Sequence, residues 1–404
     1  MTPFLQLLAE LIVIIAAAKL GGLLSQKLNQ PAVLGELLVG LVLGPSLINF
    51  MHLPLFTDRG VEDTVLHLAE LGVICLMFIA GLEIELNELR HAGRVSAYAG
   101  VIGVIMPLIF GMLAALLFGY AATAAAFIGV ILTATSVSIS AQTLIELRVL
   151  RSREGVALLG AAVIDDVLVI LILSLFTALI DGAGGLEVVI GTVLTMISFL
   201  AAALLLSLVA LPRAASWAYR QPVSEGLTAL VLIAAMLFAL AAEAIGGLAA
   251  ITGAFIAGVG LSRSHLREEI ERGLRPITYG LLVPIFFVSI GLRADLRELT
   301  PDLLPFASVI VLVAVATKII GCGLGAYWAG FKSGEALRVG VGMISRGEVG
   351  LIVAAVGVET GLIPDDMFVI VVIVVLLSTL MTPPLLRWAF RRNDSPRRAA
   401  ASGR

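Results

Sequence analysis

Charge is what this 404-residue sequence has least of: Asp, Glu, Lys and Arg together make 14% of it, where soluble domains carry roughly a quarter. With 60% hydrophobic residues and a mean hydropathy of +1.09, the chain is too apolar for a soluble domain. Cysteine is nearly absent. Cys75 and Cys322 stand far apart in apolar runs with no CxxC spacing, which argues against a disulfide framework or thiolate metal site and for buried thiols. The four histidines, His52, His67, His91 and His265, fall in loops or near the ends of apolar runs, so none is a strong metal ligand. There is no Walker loop, no GxGxxG after a strand and no HExxH, so no cofactor is expected and nothing marks an enzyme. The net charge of -3 says little about partners, and no basic patch points to nucleic acid.

What the chain does have is long apolar runs. Transmembrane strands alternate apolar and polar over about ten residues, whereas these runs continue for about twenty, the length a helix needs to cross a bilayer. They fall near 4–24, 32–49, 64–84, 95–118, 122–145, 155–180, 186–211, 224–243, 247–262, 276–292, 303–329, 335–360 and 365–390, which predicts an all-α polytopic membrane protein of thirteen helices. The first run has the small residues of a cleavable signal peptide but no basic n-region, and it carries Glu10. It is therefore read as a membrane helix.

Orientation follows from Lys and Arg. Twenty of the 26 lie in loops after odd-numbered runs or in the C-terminal tail, and only Arg59, Arg293 and Arg297 lie on the opposite side. Lys19, Lys318 and Arg346 fall within runs. This asymmetry predicts an external N-terminus and a cytoplasmic C-terminus.

The chain also repeats itself. MFIAGLEIELNELR from Met77 aligns with FVSIGLRADLREL from Phe287, placing Gly81-Leu82 on Gly291-Leu292 at an offset of 210 residues. The same offset carries Thr133–Ser136 onto Met343–Arg346. The third run would end inside and the tenth outside, so the halves are inverted, an arrangement that places substrate sites at the membrane midplane.

Polar residues at that depth are the informative ones, because a charge at the bilayer centre costs at least about 2.5–3.5 kcal/mol. Asp165 and Asp166 are adjacent in an otherwise apolar run. Lys318 is too deep to snorkel, unlike Lys19, and needs a carboxylate partner; the aspartates are the natural candidates. Successive helical positions point about 100° apart, so the two acids cannot address one lysine equally. One can pair while the other faces an ion path, where protons and cations would compete for it.

Thr133, Thr135, Ser136, Ser138 and Ser140, with Gln142 after them, exceed what a simple Ser/Thr kink needs. They predict a partly unwound segment offering carbonyl and hydroxyl oxygens to a hard cation. Its counterpart around Gly347 carries Arg346 and Glu348, two apart and so not facing each other. These serve either a structural ion cluster at a helix crossing or ion coordination. Glu36, Glu70 and Glu243 lie near run ends or beside Gly and read as packing or interfacial residues.

Four elements, the TATS stretch at Thr133, the Asp165-Asp166 pair, Thr317-Lys318 and SRGEVGL at Ser345, together resemble the cation:proton antiporter superfamily. The likeness is to the branch holding Nap-type sodium/proton antiporters and Kef-type potassium efflux proteins, over nearly the whole chain. The resemblance implies a homodimer whose 1–393 region is a transmembrane antiporter domain. Within it, a dimerisation part would comprise the runs near 4–24, 32–49, 64–84, 224–243, 247–262 and 276–292. A moving core with two crossed, interrupted helices would comprise 95–180 and 303–390, with 186–211 as linker and 394–404 as a basic cytoplasmic tail. It further implies Asp166 as principal cation and proton site, Asp165 paired with Lys318, Thr133 and Ser136 at the crossing, and Arg346 and Glu348 on its other arm.

A double aspartate with the lysine resembles the electrogenic sodium type; Gln-Asp would resemble the Kef type. The expectation is thus electrogenic exchange of Na+ or Li+ for protons across a prokaryotic plasma membrane, with potassium/proton exchange as the alternative and an ion channel behind it.

Overall fold

The computed structural model describes residues 2–53, 56, 59–83, 86–181, 186–293, 297 and 300–391. Among them every regular element is helical. In chain order these are α1 (Pro3–Lys27), α2 (Ala32–Leu43), α3 (Arg59–Glu83), α4 (Leu86–Leu117), α5 (Ala122–Ile131), α6 (Val137–Glu146), α7 (Arg153–Asp181) and α8 (Leu186–Tyr219). Then come α9 (Gly226–Ala244), α10 (Ala250–Leu261), α11 (Arg267–Ile277), α12 (Val283–Leu292), α13 (Leu304–Trp328), α14 (Ser333–Gly342), α15 (Glu348–Glu359) and α16 (Asp365–Arg391). Among the described residues nine helical stretches are long and apolar enough to cross a membrane, and four shorter apolar helices accompany them. The basic tail at 394–404 lies outside the described residues.

The departures from uniform apolar runs have local causes. The helix begun at Ala32 stops at Leu43, short of the expected 49, because Gly44-Pro45 follows and the residue before proline is pushed out of the α region. Between α11 and α12 a π-turn spans Thr278–Leu282. Pro284, which has no N–H to donate back to Gly280, sits just beyond it. Both cysteines are buried and free.

The chain divides into two compact units. The first comprises Met1–Leu23, Gly35–Arg90 and Ser174–Arg293. Its core gathers Phe78, Ile79, Leu82, Phe238, Ala254, Ala257 and Leu261 with Ile270 and Leu274 of α11. Lys19 is more than a snorkelling residue here: its Nζ donates to the Tyr279 carbonyl at 2.7 Å. The second unit comprises Leu24–Leu34, His91–Leu173 and Ala294–Arg404, and contains the mid-depth polar residues. The helix at 186–219, which contains the run 186–211 expected as a linker, falls within the first unit.

The repeat is visible in close backbone approaches. In the first unit a Cβ on Gly258 would stand 2.1 Å from the Phe78 carbonyl oxygen, and one on Gly40 would stand 2.2 Å from that of Val288. Phe78 and Val288 are the same 210 residues apart as the aligned Gly-Leu pairs. In the second unit, Gly129 approaches the Leu108 carbonyl as Gly340 approaches that of Ile319. Small residues let bilayer helices meet backbone to backbone.

Candidate functional site: a crossing of broken helices beside a buried ion pair

Two apolar runs of the second unit are each interrupted. The first breaks over 132–136, between α5 and α6, and the second over 343–347, between α14 and α15. The hydroxyl-rich stretch and SRGE therefore sit where the chain unwinds, with one correction. Ser138 and Ser140 are helical residues of α6, so the unwound part contains only Thr133, Thr135 and Ser136 of the five hydroxyls. Helical serine is tolerated here because its hydroxyl finds a partner: Ser140 Oγ donates to the Gly342 carbonyl, and Ser138 Oγ lies 3.0 Å from Ser136 Oγ.

The breaks are bonded to each other. Ser136 N–H donates to the Ser345 carbonyl at 2.8 Å, and Ser345 Oγ donates back to the Ser136 carbonyl. This reciprocal pair satisfies backbone groups that an interruption would otherwise leave orphaned in a dry interior. Gly347 is required by the same approach, since a Cβ there would stand 2.6 Å from Ser136 Cβ and 2.7 Å from its Oγ.

Arg346 is 1% exposed and makes its hydrogen bonds to backbone. Its Nη1 donates to the carbonyls of Met343 and Ile344, which follow the C-terminus of α14, and its Nη2 to the carbonyl of Ala314 in α13 at 2.9 Å. A cation at a helix C-terminus opposes the macrodipole, and here it also occupies orphaned acceptors. Among the described residues its Nε has no hydrogen-bond partner. Glu348 opens α15, but its side chain lies outside the described ones.

Sequence reasoning missed what holds this arm: Ser378 Oγ accepts from Arg346 N–H at 3.0 Å, and Thr379 Oγ1 donates to the Arg346 carbonyl at 2.9 Å. The signal was present as an adjacent Ser-Thr, fully buried, within an apolar run.

Asp165 and Lys318 form an ion pair between α7 and α13, with Nζ to Oδ1 at 2.6 Å and both side chains wholly buried. The second carboxylate oxygen, Oδ2, is buried without a hydrogen-bond partner among the described residues. Asp166 is also buried, at 6% exposure. Lys318 lies one turn beyond Ala314, the α13 residue that receives Arg346. The unit thus brings Asp165, Lys318 and Arg346 to one stretch of α13, and Ser136 and Ser345 to the crossing. Four formal charges are buried, and Asp165, Lys318 and Arg346 carry directed hydrogen bonds, the pattern of a polar site built into an apolar interior rather than of chance surface groups.

A second tie near the start of α7 was also not foreseen. Arg338 of α14 donates through Nη1 to Glu154 and through Nε to the Ala389 carbonyl, and its guanidinium lies 4.8 Å from the Phe390 ring centroid.

Residues 12–391 match the family described as sodium/hydrogen exchanger, transmembrane. The chain belongs to that family. Its members are antiporters, secondary transporters rather than enzymes. The chain is 38% identical over 391 residues to the Na+/H+-K+ antiporter GerN of Bacillus cereus, covering 97% of this chain and 98% of that one. It is 36% identical over 387 residues to a Na+/H+ antiporter of Enterococcus hirae, covering 95% and 98%. Its fold is similar to that of the sodium proton antiporter MjNhaP1 from Methanocaldococcus jannaschii, with a TM-score of 0.68 at 18% identity over 96% of this chain and 99% of that one. The chain is therefore a multi-pass membrane protein of the cation/proton antiporter superfamily.

Proposed function

We propose that this exchanger carries out electrogenic antiport of Na+ or Li+ against protons, two protons for one cation, with Asp166 as the cation and proton site. The observation that carries this reading is the fully buried Asp165–Lys318 pair. One aspartate faces the lysine and its neighbour points about 100° away on the helix, so the two acids differ in role, and the family resemblance gives the transported ion to Asp166. Cation and proton compete for that carboxylate, and proton exchange at the Lys318–Asp165 pair supplies the second charge.

Thr133, Thr135, Ser136 and Ser138 provide oxygens near the site, while Arg346 and Glu348 shape its other arm. Alternation is of elevator type, the second unit being the moving core and the first the dimerisation part of a homodimer. The chain crosses a prokaryotic plasma membrane thirteen times, with its N-terminus outside and its C-terminus in the cytoplasm, as the Lys/Arg asymmetry supports.

A potassium/proton reading is kept for one reason: GerN, a relative at 38% identity, is named for K+ as well as Na+. The test is a panel of Na+, Li+ and K+ in proteoliposomes across pH, with membrane potential clamped and free. Na+ or Li+ should dissipate a pH gradient at a rate that changes with potential, and Asp166→Asn should abolish it. Unchanged sodium-driven proton flux in Asp166→Asn would remove that residue from the site, and a response to K+ alone would favour the second reading.

A further inference from the structure

We infer that Glu146 is a positioning residue for transport: it fastens the α1–α2 turn to the half-helix α6, so that the two move as one body. Its oxygens receive the first two N–H groups of α2, Ala32 N to Oε2 at 2.6 Å and Val33 N to Oε1 at 3.2 Å, while Gln142 Nε2 donates to Oε1 at 3.1 Å. The carboxylate is misplaced for its own helix. It is the last residue of α6, where the macrodipole disfavours negative charge.

Nor does α6 need it as a cap. The carbonyls of Thr143, Leu144 and Ile145 already accept from the N–H groups of Leu147, Val149 and Arg148. What explains Glu146 is the far side: the first N–H groups of a helix have no partner within it, and a carboxylate makes strong, charge-assisted bonds to them.

The turn itself is a stiff handle. Asn29 is left-handed at φ 57°, Gln30 N–H donates to the Ser25 carbonyl at 2.9 Å, and Ser25 Oγ donates to the Pro31 carbonyl at 2.6 Å. Leu24–Leu34 belongs to the second unit although the bodies of α1 and α2 belong to the first. Glu146 thus holds the end of α6 remote from the crossing, about 14 Å away by helical rise, while Ser136 and Ser345 hold the other. Loosening it should slow the movement and leave the ion contacts alone.

The inference rests on the antiport reading, and its test separates the two. Glu146→Gln weakens the acceptor. Ala32→Pro deletes one donated N–H at the first position of α2, where proline suits a helix. Hydrogen exchange at residues 33 and 34 should quicken about tenfold in both variants, a readout independent of transport. In proteoliposomes, each should lower the maximal exchange rate about threefold or more with the half-saturating cation concentration within about twofold of wild type, and the double variant should be no slower than either single one. Wild-type rates in both variants, a shifted half-saturation, or additive losses would each overturn the inference. A wild-type protein that exchanges no cation for protons would sink the antiport reading and the rate claim together.

Discussion

Replacing Lys318 by methionine tests the buried pair most directly, because it removes the charge while keeping most of the volume. Both side chains are wholly buried, and the ammonium is the partner of Oδ1, whose sister oxygen Oδ2 has none among the described residues. Lys318→Met leaves a buried carboxylate without that counterion, a change that costs about 3–5 kcal/mol. Asp165→Val orphans the ammonium instead and should cost a similar amount. With both removed neither charge of the pair is left to desolvate, and replacement of a buried pair by apolar residues is neutral or stabilising by about 1–4 kcal/mol.

Unfolding free energies of the four proteins, measured by denaturant titration in one detergent, complete the cycle. Two unstable single variants and a double variant at or above wild-type stability are expected. The reasoning fails if Lys318→Met is as stable as wild type, or if the double variant shows the summed loss, since then the two charges do not depend on each other. The same double variant should retain the fold yet lose voltage-dependent exchange, which separates the pair's part in stability from its part in transport.

Gly347→Ala should push apart the two breaks, because its new Cβ falls 2.6 Å from Ser136 Cβ. A loss of about 1–3 kcal/mol and of most exchange activity is expected, recovered in part by Ser136→Gly; no recovery would place the clash elsewhere. Ser378→Ala and Thr379→Val each remove one hydrogen bond that holds the Arg346 backbone, at about 0.5–1.5 kcal/mol apiece, with the thermal midpoint as the measure. Glu154→Gln weakens the tie to Arg338 and should cost about 1.5–3 kcal/mol, whereas exchanging the two residues, Glu154→Arg with Arg338→Glu, should recover part of it. A swap as unstable as the single variant would show that the Phe390 and Ala389 contacts, rather than the ion pair, fix Arg338.

How much of this was legible in the sequence depended on how expensive each feature is. A charge in an apolar run is costly enough to stand out alone, so Asp165, Asp166, Lys318 and Arg346 were legible as a set. Pairing was not legible from helical geometry, which says only that the two aspartates differ; the resemblance implied Asp165 as the partner of Lys318, and the coordinates show its Oδ1 there. The breaks were legible through hydroxyl density, but their edges were not. Serine serves equally in an unwound segment and in a helix that bonds another chain segment, as Ser140 does with the Gly342 carbonyl. Glu146 and Glu154 were invisible for a different reason. Each stands next to arginines beyond the end of an apolar run and looks like an ordinary interfacial charge, while its partner lies 114 or 184 residues away.

The two breaks share a position in the repeat but not a chemistry, and the difference bears on coupling. At the end of α5 a hydroxyl suffices: Thr133 Oγ1 donates to the Val130 carbonyl. At the end of α14 a guanidinium performs the same service for Met343 and Ile344 and brings a permanent charge with it. The first half of the repeat thus contributes the two buried acids, and the second contributes Lys318 and Arg346. Arg346 cannot give up its proton, so its charge is a constant of the cycle. Under the proposed function, loading a cation beside Asp166 without releasing a proton would add net charge to a buried site, at a cost of several kcal/mol per ion. Exchange therefore follows from the electrostatics of the interior. The fixed arginine holds the crossing together, and under the proposed function Lys318 is the member of that half through which a proton is coupled to cation movement.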